Sequence, residues 1–203
     1  MSIKPASKDE IAALALAERN GWPVELRTLI ERYPREVWLG HENLGQMVQF
    51  WLSRHTMFRE LAASISQGTT DFHAGKVTPP EFPRWLVPRL QFFLEQLHAH
   101  HYIEDHHYFP IFRRADGRLA RGFDVLEADH AELHYNIDLT VEAANVLLRS
   151  MSDVESVKRN GEDFAQTSGV LMKGLTRHLD DEEDLIVPLI LDRGEDELGV
   201  AHG

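Results

Sequence analysis

The chain has 203 residues, 43 % hydrophobic and 27 % charged, the usual make-up of a soluble globular protein and not of a disordered tail or a membrane span. Its 21 Lys+Arg face 33 Asp+Glu, a formal net charge of −12 that repels phosphate backbones and anionic lipid surfaces, so neither nucleic acid nor a membrane is an expected partner. The absence of cysteine removes disulfides, thiolate metal sites and cysteine nucleophiles and makes the cytoplasm the expected compartment, whereas 12 histidines are an unusual excess.

The chain order predicts an all-α fold. Residues 1–40 read as a helical extension. Ser7 caps a helix reaching Glu18, with Glu10 completing a capping box. A turn at Asn20-Gly21 follows, then a second short helix ending near Pro34. The apolar stretch Ile11–Ala17 is too short to span a membrane and lacks the basic front end of a signal peptide. A first long helix covers about 41–66, and a breaker-rich loop runs from Gln67 to Pro83. A second covers 84–114 and is stopped by Asp116-Gly117; a third covers 119–150. Asp153 caps a fourth that ends before Gly194, with Gly161 and Gly169 expected to make its first half irregular. Residues 41–192 are therefore predicted to form an antiparallel up-down four-helix bundle, with 193–203 as a tail.

Apolar stripes support four helices. The first carries Leu44, Val48, Trp51, Phe58, Ala62 and Ile65 at steps of three or four. The second carries Leu86, Leu90, Phe93, Leu97, Tyr108 and Ile111; the third Phe123, Leu126, Ile137, Val141, Ala144 and Leu148. The fourth carries Phe164, Leu171, Leu175, Leu185 and Leu189. Each stripe has a gap filled by polar residues: His55; His100 and Glu104; His130 and His134; His178 and Glu182. Residues at i and i+4 share a helix face, so each pair points its two side chains at the same spot in the core, and the seven fall at the middle of the four stripes. Desolvating an unpaired carboxylate costs on the order of several kcal/mol, and no Lys or Arg interrupts the stripes. A buried cation would satisfy the set.

Imidazole and carboxylate without thiolate suit iron, manganese or zinc and disfavour all-oxygen cations. Seven ligands exceed one tetrahedral zinc. Two six-coordinate ions sharing five imidazoles, two bridging carboxylates and an oxo or hydroxo bridge would leave one position open. That arrangement invites a small diatomic ligand and makes two non-haem iron ions the expected cofactor, with manganese or zinc as substitutes.

His100-x3-Glu104-Asp105 followed by Phe109-Pro110, and His178-x3-Glu182-Glu183 followed by Val187-Pro188, resemble the paired signatures of hemerythrin-like, or HHE cation-binding, domains. Asp129-His130 resembles that family's third-helix motif, and His55 its first-helix histidine. The resemblance covers about 41–192. It implies a four-helix bundle with a non-haem di-iron centre, ligated here by His55, His100, Glu104, His130, His134, His178 and Glu182. It implies O2 or NO binding, storage or sensing, or alternatively a redox enzyme or an iron-handling or repair protein using the same centre.

A ferritin-like carboxylate arrangement competes through Glu104-x2-His107 and Glu127-x2-His130. It finds no glutamate on the first stripe near His55 and leaves four core histidines unexplained. Of the other histidines, His98, His101 and His106 fall off the second stripe and read as solvated. His107 lies near the same face as His100 and reads as a neighbour of the site. His73 and His202 fall in a loop and the tail.

Overall fold

Ser7 starts the fold as its sequence predicts. Its side chain accepts from the Glu10 backbone N–H at 3.3 Å, and the Glu10 carboxylate accepts from the Ser7 N–H at 2.8 Å. The computed structural model describes residues 7–201, so His202 lies outside the described residues. Every regular element among the described residues is helical, and none of the helices is long and apolar enough to cross a membrane.

The expected first helix is shorter than its sequence suggests. α1 spans Lys8–Ala12, and the chain then turns so that Leu16 is buried. A 3-10 turn at Val24–Leu26 leads to α2 (Thr28–Arg32) and α3 (Arg35–Trp38). Four long helices follow, with two short ones between or after them. They are α4 (Gln46–His73), α5 (Glu81–Ile103), α6 (Phe109–Ala115), α7 (Ala120–Arg149), α8 (Val154–Arg193) and α9 (Glu195–Leu198). α4 continues seven residues beyond its expected end at Ser66, because Thr69 and Phe72 extend its buried stripe. α8 is continuous through both glycines. Gly161 has a packing reason, since a Cβ there would lie 2.7 Å from the His73 ring.

Between α5 and α6 the helix widens into one π turn, Glu104–Tyr108. A π turn inserts one extra residue and moves every later side chain on by one position. The buried residues beyond it are accordingly Phe109 and Phe112, not Tyr108 and Ile111 as uniform helical periodicity predicts. Pro110 follows immediately, in the first turn of α6. Its missing N–H is tolerated there because the regular hydrogen-bond ladder has already been interrupted.

The chain forms two compact units. The first comprises the described part of Met1–His55, His101–Ala131 and the described part of Arg177–Gly203; the second comprises Thr56–His100 and Glu132–Thr176. Each long helix contributes a segment to both. In the first unit Trp22, Leu26, Leu29 and Trp38 join Val48, Phe109, Phe123 and residues 185–191 in one apolar core. The N-terminal segment covers what would otherwise be the solvent face of α8. Trp22 Nε1 donates to the Asp181 carbonyl at 2.7 Å, and Asn43 Nδ2 to the Leu191 carbonyl at 2.8 Å. Residues 185–191 are therefore buried all round, which explains why they read as a near-continuous apolar run. Glu195 caps α4 from the other end of the chain, accepting from Val48 N–H at 2.8 Å and Met47 N–H at 3.3 Å.

The second unit is held by Phe58, Ile65, Leu86, Phe93, Leu97, Leu133, Leu147, Phe164 and Leu171, all fully buried. Phe72 and Phe82 stack at 4.1 Å. Gly68 allows α4 to meet Trp85, where an added Cβ would fall 2.1 Å from the indole. Gly169 has open space around its Cβ position. Denaturant unfolding separates the two glycines. Gly68→Ala is expected to lower stability by about 1–3 kcal/mol through overpacking despite better helix propensity. Gly169→Ala is expected to raise it by about 0.5–1 kcal/mol.

Candidate metal centre

Two groups of side chains in the first unit bring ligand atoms together. His55, Glu104 and Glu182 form one, and His101, His130 and His178 the other, each with its ligand atoms within 4.8 Å of one another. All six residues are buried. His55 comes from α4, His101 from α5, Glu104 from the first position of the π turn, His130 from α7, and His178 and Glu182 from successive turns of α8.

The carboxylates lie towards both groups. Glu182 Oε2 is 3.5 Å from His55 Nε2 and 3.5 Å from His178 Nε2. Glu104 Oε2 is 3.7 Å from His130 Nε2, and Glu104 Oε1 accepts from Trp51 Nε1 at 2.7 Å. Each carboxylate thus has an imidazole nitrogen of the second group within 4 Å while belonging to the first.

The histidines are oriented from behind. His130 Nδ1 meets Asp105 at 2.7 Å, His178 Nδ1 meets Asp129 at 3.4 Å, and His55 Nδ1 meets Glu183 at 3.0 Å. A carboxylate at Nδ1 selects the Nδ1–H tautomer and turns the Nε2 lone pair away from it. For His130 and His178 those two nitrogens then face each other at 3.1 Å. Two lone pairs at that distance repel unless an electrophile lies between them.

Titration behaviour reports the same crowding. Burial, reinforced by the neighbouring Glu104 charge, pushes the Glu182 carboxyl well above the ordinary carboxylate range. Among the described residues neither Glu182 oxygen meets a hydrogen-bond donor in good geometry. Burial also pushes His178 down, towards the neutral ligating form, against the opposing pull of Asp129. At Asp129 burial acts upward, but hydrogen bonds from His178 and Arg19 outweigh it and hold the carboxyl below its usual value. The donor set fits a metal ion, which would relieve the lone-pair and carboxylate repulsions together.

The expected ligands fall unevenly. His55, Glu104, His130, His178 and Glu182 lie in these groups. His100 is the last residue of the second unit, buried with its ring 5.1 Å from Phe58. His134 is in neither group among the described residues. It is half-buried in the second unit, edge-on to His98 at 4.8 Å. The α7 stripe runs through His130, Leu133, Ile137 and Thr140, so Leu133 takes the inward position and His134 flanks it.

The third imidazole of the second group is His101, expected to be solvated but fully buried and stacked on His130 at 4.0 Å. Its signal in the sequence is the doublet His100-His101 with Glu104 three residues on, a spacing that also shares a helix face. His107, expected beside the site, is exposed, because the π turn rotates it outward. His98 and His106 are exposed as expected.

A family model, the Hemerythrin HHE cation binding domain, matches residues 46–190. The chain belongs to this hemerythrin HHE family. No curated protein and no solved structure matches it. The family is a cation-binding one, and the two groups of buried His and Glu are where this member can hold metal.

Elemental analysis after metal loading is expected to find His101→Ala and Glu182→Ala depleted, and His134→Ala at the wild-type level. The Glu182 carboxyl is raised in the folded metal-free state, so the wild type gains relative stability below the ordinary value of 4.5 and loses it as pH rises. Glu182→Gln does not titrate. Metal-free Glu182→Gln should therefore match the wild type near pH 4 and become the more stable protein towards pH 8, which denaturant unfolding at the two pH values measures. With metal present the order should reverse, because the variant loses binding energy.

Proposed function

We propose that this protein holds two iron ions in the antiparallel four-helix bundle that its sequence predicts, and binds a small diatomic ligand, O2 or NO, at an open iron position. His55, Glu104 and Glu182 would hold one ion. His101, His130 and His178 would hold the other, with the two glutamates shared. The mixed imidazole–carboxylate shell supports iron over magnesium or calcium. Bound iron would supply reversible coordination of the diatomic molecule; the protein supplies orientation and exclusion of water.

The observation that carries this reading is a small apolar cavity that opens onto Glu104. Met47, Trp51, Tyr108, Ile186 and Ile190 line it, and its volume of about 10 Å³ admits one water-sized molecule. A diatomic gas fits such a space, whereas an organic substrate does not. Apolar walls favour a neutral gas over water. Trp51 spans both functions, packing the wall while its indole N–H fixes Glu104.

Tyr108 favours a second reading, a redox enzyme at the same centre. Burial and the Glu104 and Glu195 charges raise its phenol above the usual value, so it stays protonated beside the cavity and could donate hydrogen. The visible spectrum of iron-loaded protein, reduced without air and then exposed to O2, distinguishes the two. A new charge-transfer band that disappears when O2 is removed is the expected result. Rapid irreversible oxidation would replace the binding reading with the redox one. Ile186→Phe, which fills the cavity, is expected to slow the appearance of the band while leaving iron content unchanged.

A further inference from the structure

Two arginines reach the centre from the N-terminal segment, outside the 46–190 stretch that carries the family match. Arg19 is fully buried. Its Nη1 and Nη2 lie 3.2 and 2.5 Å from the two oxygens of Asp129, and its Nε donates to Asp181 at 2.7 Å. Asp129 is the carboxylate at His178 Nδ1. Arg35 donates through Nη1 to Glu183 at 2.8 Å, through Nε to Asp184 at 2.8 Å, and through Nη2 to the Asp180 carbonyl at 2.9 Å. Glu183 is the carboxylate at His55 Nδ1. One guanidinium–carboxylate–imidazole relay therefore ends in each of the two ligand groups.

We propose that Arg19 and Arg35 are positioning residues of the metal centre, through which the N-terminal segment sets the orientation and donor strength of His178 and His55. The inference rests on the reading that these groups hold metal. A carboxylate that accepts the Nδ1–H makes Nε2 a stronger donor and fixes the ring plane. A guanidinium on that carboxylate does two opposed things. Its rigid fork locks the carboxylate, and hence the ring, and its charge withdraws part of the polarisation that the carboxylate would otherwise pass on.

The two relays differ in screening. Arg19 and its two aspartates are shielded from water, whereas the Arg35 side chain is 42 % exposed. Arg19 is thus bound into the fold, and Arg35 is the position where the relay can be cut with the fold intact. Docking of residues 7–40 and competence of the centre become one event, since both arginines leave their carboxylates if that segment moves.

Cobalt(II) tests this without iron or oxygen. The full-length chain is titrated with cobalt in competition with a chelator, and the visible ligand-field bands are recorded. The wild type should take up two ions. Arg35→Gln should weaken one of them about tenfold and alter its bands, as loss of an outer-shell partner does. Arg35→Lys, which keeps one donor for Glu183 and loses the fork, should recover only part of the affinity. Arg19→Lys, which loses the fork, should change the bands of the other ion. Arg27→Gln, whose partner Glu31 is exposed with it, should match the wild type.

A wild-type chain that takes up no cobalt overturns the metal reading and this inference together. A wild type that takes up two ions, with Arg35→Gln titrating and absorbing identically, overturns the inference alone. Should Arg19→Lys fail to fold, the Arg35 pair decides.

Discussion

The desolvated pair Glu104 and Glu182 is the constraint around which the rest of the structure is arranged. A carboxylate in a dry core must be protonated, paired or metal-bound, and the cost of none of these is several kcal/mol. No arginine or lysine lies in either ligand group; what surrounds the two carboxylates is imidazole, and neutral imidazole offers a second row of lone pairs. The Trp51 N–H engages one Glu104 oxygen, and Glu104 Oε2 and Glu182 Oε2 face imidazole nitrogens instead of a permanent cation. Such a cluster fits a protein that completes its core with an external cation.

Holding those donors in place demands departures from regular structure. In a straight helix, an inward Glu104 would bring Tyr108 and Ile111 inward as well. The π turn breaks that link, so that Glu104 faces the ligand group while Phe109 and Phe112 fill the core beneath it. Tyr108 is left at the cavity wall and His107 outside. On α8 the second signature needs no such turn. Pro188 is carried inside a continuous helix, and the N-terminal segment covers the outer side of the surrounding residues. The two signatures look alike in sequence, yet their helices solve the proline in different ways.

Much of this was legible beforehand. The stripe of α4 runs as its spacing predicts through Val48, Trp51, His55, Phe58, Ala62 and Ile65. Glu104, His130, His178 and Glu182 read as inward polar residues by the same spacing, and all four are buried. What escaped was whatever depends on a change of register or on distant chain segments. His101 stands a full residue off the stripe drawn through His100, and helical periodicity cannot reveal that α5 is covered over two consecutive positions. His134 sits one step past Leu133, and i,i+4 spacing from His130 does not tell which flank of the stripe faces inward. The burial of Arg19 is invisible in a helix pattern because its partners lie 110 and 162 residues away.

Charge alternates outward from the site, and this alternation connects the odd features of the chain. The carboxylates of the two groups are met by imidazoles, the imidazoles by Asp105, Asp129 and Glu183, and Asp129 and Glu183 in turn by Arg19 and Arg35 respectively. Each layer reduces the desolvation cost of the one inside it. Arg19 can be buried because Asp129 and Asp181 neutralise it; Asp129 can stay ionised because Arg19 and His178 both donate to it. The strongly acidic composition is in part a consequence, since these carboxylates serve as outer partners to cations and imidazoles. It follows that the N-terminal segment cannot be treated as an appendage. Its tryptophans close the core over α8, and its two arginines complete the outermost layer of the relays on which the ligand histidines depend.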